Sequence, residues 1–140
     1  MRGVRQTAMA LNPATSQEGR SLESFYQALF ELPQPHWSPT ARMMLQLLPE
    51  LERLCSTRRV WGFTSHARLV LLPQDDYRQP YSVVVAARGL ESCYEISYLM
   101  TVDDAPWDGA IVSGKARSVP EAVSMIGVAM ERCGAWRMDG

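Results

Sequence analysis

The chain has 140 residues, of which 46% are hydrophobic and 21% are charged, and its formal net charge at pH 7 is -1. This length predicts a single domain, and the composition is ordinary for a globular protein whose core needs neither a metal nor a disulfide. Because positive and negative charges nearly cancel, the chain has no global field that would attract nucleic acid or an anionic membrane surface.

The N-terminal residues 1–20 are rich in small and polar side chains and include the breakers Asn12, Pro13 and Gly19. They lack the apolar run of a signal peptide, and no stretch of the chain approaches the roughly 18–20 consecutive apolar residues of a membrane-spanning helix. We therefore expect a flexible tail over residues 1–20, one domain over residues 21–140 and a cytoplasmic location.

Two helices are predicted in the first half of this domain. Ser21 can cap a helix that runs to about Glu31, and the pair Ser38-Pro39 is typical of the start of a second helix. Pro49 falls near the middle of the second helix, where a proline removes one backbone hydrogen bond. We expect a kink at Pro49, the alternative being two shorter helices.

From residue 60 the pattern changes to that of β-strands. Extended segments are predicted over residues 60–64, 67–72, 81–87, 92–100 and 109–115. Their short connections favour hairpins, so the sequence predicts a largely antiparallel meander of four to five strands. Ser118 and Glu121 then form a capping box for a C-terminal helix, which Gly134 is placed to end. The expected fold class is α+β, with the C-terminal helix packed on the sheet.

The strand order has a consequence for the acidic loops, because alternate connections of a meander lie at the same end of the sheet. The connections at residues 73–80 and 101–108 should therefore be neighbours and should gather carboxylates and aromatic rings. These candidate partner-binding residues are Asp75, Asp76, Tyr77, Asp103, Asp104, Trp107 and Asp108. The opposite end of the sheet is expected to be basic, with Arg58, Arg59, His66 and Arg88.

Three interpretations of this acidic end are open. Asp is a common turn former, so the carboxylates can be a solvated rim without a function. Alternatively, the aromatic side chains anchor a basic protein partner while the carboxylates steer its approach. A third interpretation is a divalent cation site, although the spacing matches no EF-hand loop. Trp107 could also fold back over the sheet as a local lid.

Candidate catalytic groups are few, so we expect no enzymatic activity and no cofactor. His36 lies in a proline-rich connector, and His66 directly follows a serine, whose side chain would point to the other face of a strand. The cysteines Cys55, Cys93 and Cys133 are far apart and form no CxxC motif, which predicts buried, reduced thiols rather than a zinc site. The sequence also contains no P-loop and no dinucleotide-binding fingerprint.

One small basic and aromatic cluster bears on nucleic-acid binding. Arg58 and Arg59 are followed by Trp61 and Phe63, a combination that could contact phosphates and stack on bases. Because Trp61 and Phe63 share one face of a strand, we expect them in the core. With a net charge of -1, nucleic acid is not an expected partner.

In its general build, an α+β domain with acidic and aromatic loops such as residues 103–108 and no catalytic motif, the chain resembles small cytoplasmic bacterial immunity proteins that neutralise toxins. The resemblance implies a tight protein–protein interface, often one that masks the active site of the toxin. The near-neutral charge departs from the strongly acidic inhibitors of basic nucleases. Our hypothesis is a non-enzymatic binding protein, in particular an immunity protein, with a toxin domain as its partner.

The alternative hypothesis is a small-molecule-binding or sensor domain with a pocket between the sheet and the helices. Its cue is a set of flexible and aromatic side chains: Met43, Met44, Met100, Met125, Met130, Tyr94 and Tyr98. Methionine is also a common filler of cores, and a thermal shift on a panel of metabolites would separate this hypothesis from that of a protein binder.

Overall fold

The computed structural model describes residues 11–17, 19–76 and 78–137, which form six strands and three α-helices. The strands are β1 (Leu11–Pro13), β2 (Val60–Ser65), β3 (Arg68–Leu72), β4 (Val83–Arg88), β5 (Cys93–Leu99) and β6 (Ile111–Ala116). The helices are α1 (Leu22–Phe30), α2 (Trp37–Leu54) and α3 (Val119–Arg132). The predicted α+β class is confirmed. Of the predicted tail, residues 1–10 and residue 18 lie outside the described residues.

Strands β2 to β6 form the predicted antiparallel meander, since each pairs with the next strand along the chain. Strand β1 adds a sixth strand at the edge, and it runs parallel to β2 with Leu11 opposite Val60. The expectation of four to five strands is therefore wrong by one edge strand, and the sheet is mixed rather than purely antiparallel.

The additional strand lies within the predicted tail, and the tail prediction does not hold for residues 11–17. Leu11 is buried in the core, and its backbone N–H donates to Oε1 of Glu52 at 2.9 Å. The backbone N–H of Ala14 donates to the carbonyl oxygen of Gly62 at 2.8 Å. A single apolar residue in a polar segment is too weak a local signal for a strand. The strand forms by pairing with β2, which lies far along the chain, so the local sequence does not reveal it.

Helices α1 and α2 follow each other, and only the first begins where the sequence predicts. The hydroxyl oxygen of Ser21 accepts a hydrogen bond from the backbone N–H of Ser24 at 2.9 Å, which caps α1. Helix α2 begins at Trp37, so the expected cap Ser38 lies inside the helix. His36 occupies the capping position without a side-chain hydrogen bond.

Pro49 lies inside the continuous helix α2, so the alternative of two shorter helices is wrong. The ring of Pro49 is exposed, whereas Leu47, Leu48 and Leu51 beside it are buried in the core. Burial of these leucines stabilises the helix and offsets the loss of the backbone hydrogen bond that proline cannot make.

Helix α3 has the predicted start and end. The Ser118 hydroxyl oxygen accepts from the backbone N–H of Glu121 at 3.2 Å, and the Glu121 carboxylate accepts from the backbone N–H of Arg117 at 2.8 Å. Ser118 thus caps the helix as predicted, whereas Glu121 binds the N–H of Arg117, one residue before the cap N–H that a capping box uses. Gly134 follows the helix with a φ of 76°, a left-handed conformation that glycine adopts without steric cost.

The main core lies between the sheet and the helices, all of which pack on one face. Alternate strand residues point to that face, as Leu69 and Leu71 do, where they join Tyr26, Met44 and Ile126 from the helices. Among the described residues, none of the helices has the length and apolar character needed to cross a membrane.

The opposite face of the sheet carries a smaller apolar cluster. It contains Ala14, Phe63, Val70 and Leu72, with Trp61 partly buried at its border. Phe63 is only 6% exposed, so the expectation that this ring is buried is confirmed, whereas Trp61 is only partly buried.

Candidate functional site

Two connections lie at the same end of the sheet: residues 73–82 join β3 to β4, and residues 100–110 join β5 to β6. We call this end of the molecule the loop end. The two connections adjoin at their bases, where the backbone N–H of Leu99 donates to the carbonyl oxygen of Ser82 at 3.0 Å. The sheet order thus places both acidic loops at one end, but their carboxylates are used differently.

In the β3–β4 connection, Asp75 holds the segment that follows β1. The backbone N–H of Thr15 donates to one carboxylate oxygen of Asp75 at 2.8 Å, and the Thr15 hydroxyl donates to the other at 2.5 Å. Both oxygens therefore accept hydrogen bonds from another segment of the chain, although the Asp75 side chain is exposed, which makes Asp75 a structural residue. The sequence could not indicate this contact because it depends on strand β1.

Asp76 is engaged within its own turn. Its Oδ1 accepts hydrogen bonds from the backbone N–H of Arg78 at 3.0 Å and from Nε of the same residue at 3.1 Å. The side-chain hydrogen bond from Arg78, followed by the backbone one, lowers the pKa of the Asp76 carboxyl, so the charged form is favoured. Tyr77, which the sequence placed in the same candidate set, lies outside the described residues.

The β5–β6 connection is a loop fixed by its own backbone. The carbonyl oxygen of Thr101 accepts from the N–H groups of Asp104 and Ala105 at 3.1 and 2.9 Å. At the base of the loop, the N–H of Met100 donates to the carbonyl oxygen of Ala110 at 3.0 Å. The loop therefore presents its side chains from a defined backbone rather than from an unsupported chain.

Trp107 projects from this loop into solvent, with 71% of its surface exposed, so the lid interpretation is wrong. Val102 and Ile111, at the two sides of the loop, are 89% and 62% exposed. The carboxylates of the loop are exposed as well, and they form no ion pair with any described residue: Asp103, Asp104 and Asp108. The loop thus combines large apolar side chains with free negative charge.

The cation-site interpretation finds no support in this arrangement. Within residues 11–17, 19–76 and 78–137, no three His, Cys, Asp or Glu side chains lie close enough together to hold a metal ion. Asp75 is turned towards Thr15, and the carboxylates of the β5–β6 loop do not converge on one point with it.

Of the four residues predicted to form a basic end of the sheet, two lie at the other end. Arg58 and Arg59 precede β2, whose start lies beside the end of β3, as the pairing of Trp61 with Leu72 shows. An antiparallel neighbour runs in the reverse direction, so these arginines lie at the loop end.

His66 and Arg88 do lie at the opposite end of the sheet, in the β2–β3 turn and at the end of β4. Both line the same shallow hollow there. The Arg88 guanidinium is not free, because its Nη2 lies 2.6 Å from Oε1 of Glu95.

The candidate nucleophiles are poorly suited to catalysis at neutral pH. Cys55 and Cys93 are buried, and burial, together with the nearby Glu52 charge, raises the pKa of the Cys55 thiol to about 12. Burial also raises the pKa of the Cys133 thiol, although the charge of Arg137 acts in the opposite direction. Thiols with raised pKa values stay protonated, and a protonated thiol is a weak nucleophile.

The methionines and tyrosines behind the small-molecule hypothesis divide into two groups. Met44 and Met130 are buried in the core, and the Tyr94 hydroxyl donates to the carbonyl oxygen of Met43 at 2.7 Å. Tyr98 and Met100 instead line a hollow beside the β5–β6 loop. Between β1, α1 and α2 lies a pocket of about 260 Å³, with Leu48 in its wall. Its volume falls below the roughly 300–1,000 Å³ of most small-molecule sites.

Comparisons with known proteins assign no family to the chain. No protein-family model matches it, and no curated protein or solved structure matches it either. Function must therefore be argued from the side chains at the loop end.

Proposed function

We propose that this protein is a non-enzymatic binding protein whose partner is another protein, and that the β5–β6 loop is the centre of the interface. The observation that carries this proposal is Trp107, 71% exposed on a loop with a hydrogen-bonded backbone. Tryptophan is among the residues that most often dominate binding energies, and a fixed loop loses little entropy when it binds. Burial of this ring against a partner removes a large apolar surface from water.

The charges around Trp107 favour a basic partner surface. Asp103, Asp104 and Asp108 are exposed, and none forms an ion pair within the described part of the chain. Carboxylates in this state attract Lys and Arg side chains over a distance and pair with them on contact.

The edge of the sheet continues this surface. Strand β6 is the last strand in the sheet order. The Met100–Ala110 hydrogen bond shows that Ala110 directs its backbone groups towards β5, and the direction alternates from one residue of β6 to the next. By that alternation, the backbone N–H and C=O groups of Ile111 and Ser113 point away from β5. Such groups can pair with an extended segment of a partner protein, which is a common mode of peptide recognition.

Within the same proposal, the partner is a basic domain of a bacterial toxin, and this protein is its cytoplasmic immunity protein. The α+β build and the exposed aromatic and acidic loop support this assignment. The raised pKa of the buried Cys55 thiol supports a role without nucleophilic catalysis.

The experiment is capture of the partner from the native host with three tagged forms of the protein. The test variant is Trp107→Ala/Asp103→Ala/Asp104→Ala, and the control is Leu90→Ala, which removes an equally exposed apolar side chain (75%) at the opposite end. We expect wild type and control to retain one partner and the triple variant to lose about 2 kcal/mol or more of binding free energy while still unfolding cooperatively. Equal affinity of the triple variant would refute the assigned surface.

A further inference from the structure

The loop end has a second feature that the proposed interface does not use. A cleft of about 940 Å³ lies between the start of β2, the β3–β4 connection and the segment that follows α3. Arg58 and Arg59 line it from the side of β2, and Arg137 lines it from the side of α3. Three arginines thus line one concavity in a protein whose net charge is -1.

These three guanidinium groups have no counter-charge in contact with them. Among the residues that the structure describes, no carboxylate oxygen lies within 4.0 Å of any of them, whereas Arg88 contacts Glu95 at 2.6 Å. The carboxylates of Asp104 and Glu131 line an adjoining hollow with Arg137 but do not reach that distance. Like charges that share a concave site repel each other, and an anion bound between them relieves that repulsion.

The electrostatics of Cys133 show that two of the arginines act on the same place. Burial raises the pKa of the Cys133 thiol, whereas the charges of Arg137 and Arg58 both oppose that rise. Cys133 itself lines the cleft. The charges of Arg58 and Arg137, two residues far apart in the sequence, therefore act on one group in the wall of the cleft.

The remaining walls are suited to an organic molecule rather than to a bare ion. Trp136 is held in place because its indole N–H donates to the carbonyl oxygen of Arg59 at 2.8 Å. Pro80 and Leu99 contribute apolar surface, and Ser82 is buried in the wall of the cleft. The volume also lies in the upper part of the roughly 300–1,000 Å³ range of small-molecule sites.

We propose that this cleft binds a small organic phosphate through Arg58, Arg59 and Arg137, with the body of the molecule against Trp136 and Pro80. The planar guanidinium fork pairs with phosphate oxygens through two parallel hydrogen bonds. Three such groups match a phosphate, which carries two charges on three oxygens of one group, better than a carboxylate, which carries one charge on two oxygens. This site is independent of the Trp107 loop, so either assignment can fail without the other.

The test uses the indole N–H signal of Trp136 in nuclear magnetic resonance spectra, identified by its loss in Trp136→Phe. We titrate the full chain at low salt with adenosine monophosphate, inorganic phosphate, adenosine and succinate. We expect adenosine monophosphate to shift the signal most and inorganic phosphate less, with adenosine and succinate inactive. No shift with either phosphate compound up to about 10 mM would overturn the proposal, since that corresponds to binding too weak to be specific. A succinate affinity equal to that of adenosine monophosphate would overturn the phosphate assignment.

Arginine variants test whether the change in the Trp136 indole signal arises from binding in the cleft. Arg58→Gln/Arg137→Gln is expected to weaken adenosine monophosphate binding about tenfold or more, because charge-assisted hydrogen bonds are lost. Arg117→Gln is the matched control, since Arg117 is exposed, follows β6 at the opposite end and has no ion pair among the described residues. Equal affinity of the double variant and the control would contradict the site. If the double variant does not fold, added salt must weaken binding to wild type, and salt-independent binding would contradict the site as well.

Discussion

The two acidic connections at the loop end have similar residues but different roles. In the β3–β4 connection, Asp75 binds Thr15 and Asp76 binds Arg78, so both carboxylates accept hydrogen bonds from residues of the same chain. In the β5–β6 connection, the carboxylates are exposed and form no ion pair with a described residue: Asp103, Asp104 and Asp108. The comparison teaches that a carboxylate supports the fold when a donor reaches it, from a distant segment as at Asp75 or from its own turn as at Asp76, and is available to a partner when no donor does.

The largest effect on the fold is expected from Asp75→Ala. This change removes the acceptor of two hydrogen bonds from Thr15, so we expect the free energy of unfolding to fall by about 1–2 kcal/mol, an amount limited by exposure to solvent. Urea denaturation of Asp75→Ala and Asp103→Ala measures the difference. Asp103→Ala should change stability by less than about 0.5 kcal/mol. Equal losses of unfolding free energy in the two variants would contradict the assignment of different roles to the two loops.

A smaller effect, on kinetics, is expected from Asp103→Asn/Asp104→Asn. The variant keeps the shape of the β5–β6 loop but removes two charges, so its association rate with a basic partner should fall about three- to tenfold at low salt. Stopped-flow association over a salt series measures this, and the rates of variant and wild type should converge at high salt. Glu31→Gln, an exposed acid at the end of α1, is the control. Rates that do not respond to salt would contradict the steering role.

The smallest effect is the pH dependence of the Asp76 turn. Hydrogen bonds from Arg78 lower the pKa of Asp76, so the charged form is favoured in the folded state. Its contribution to stability is present above the unfolded pKa of about 3.9 and is lost as the pH falls through the lower folded value. A carboxyl carbon titration by nuclear magnetic resonance should give a pKa for Asp76 below the unfolded value of about 3.9. A pKa at or above that value would show that the Asp76–Arg78 contact does not persist in solution.

The features that depend on neighbouring residues could be predicted from the sequence. Ser21 and Ser118 cap the helices to which the sequence assigns them, and Gly134 ends α3. The five strands of the meander lie close to their predicted positions, because alternation of apolar residues is a local signal. Helix α2 is the exception, since it begins at Trp37 without the side-chain cap expected from Ser38.

The features that depend on distant segments could not be predicted. Strand β1 has one buried apolar residue, Leu11, and it forms only because β2 supplies the pairing groups. The role of Asp75 depends on that strand in turn. The position of Arg58 and Arg59 at the loop end, in contrast, could have been predicted, because the strand directions of a meander already imply it. The exposure of Trp107 depends on how its loop closes, which the turn residues alone did not determine.

The most direct test of the central claim is amide hydrogen exchange of the protein with and without its captured partner. Our account predicts slowed exchange over residues 101–113, which cover the Trp107 loop and the start of the open β6 edge. It predicts little change in the β2–β3 turn and in residues 89–92 at the opposite end. Protection confined to the opposite end or to the exposed faces of the helices would contradict the assignment of the β5–β6 loop as the binding surface.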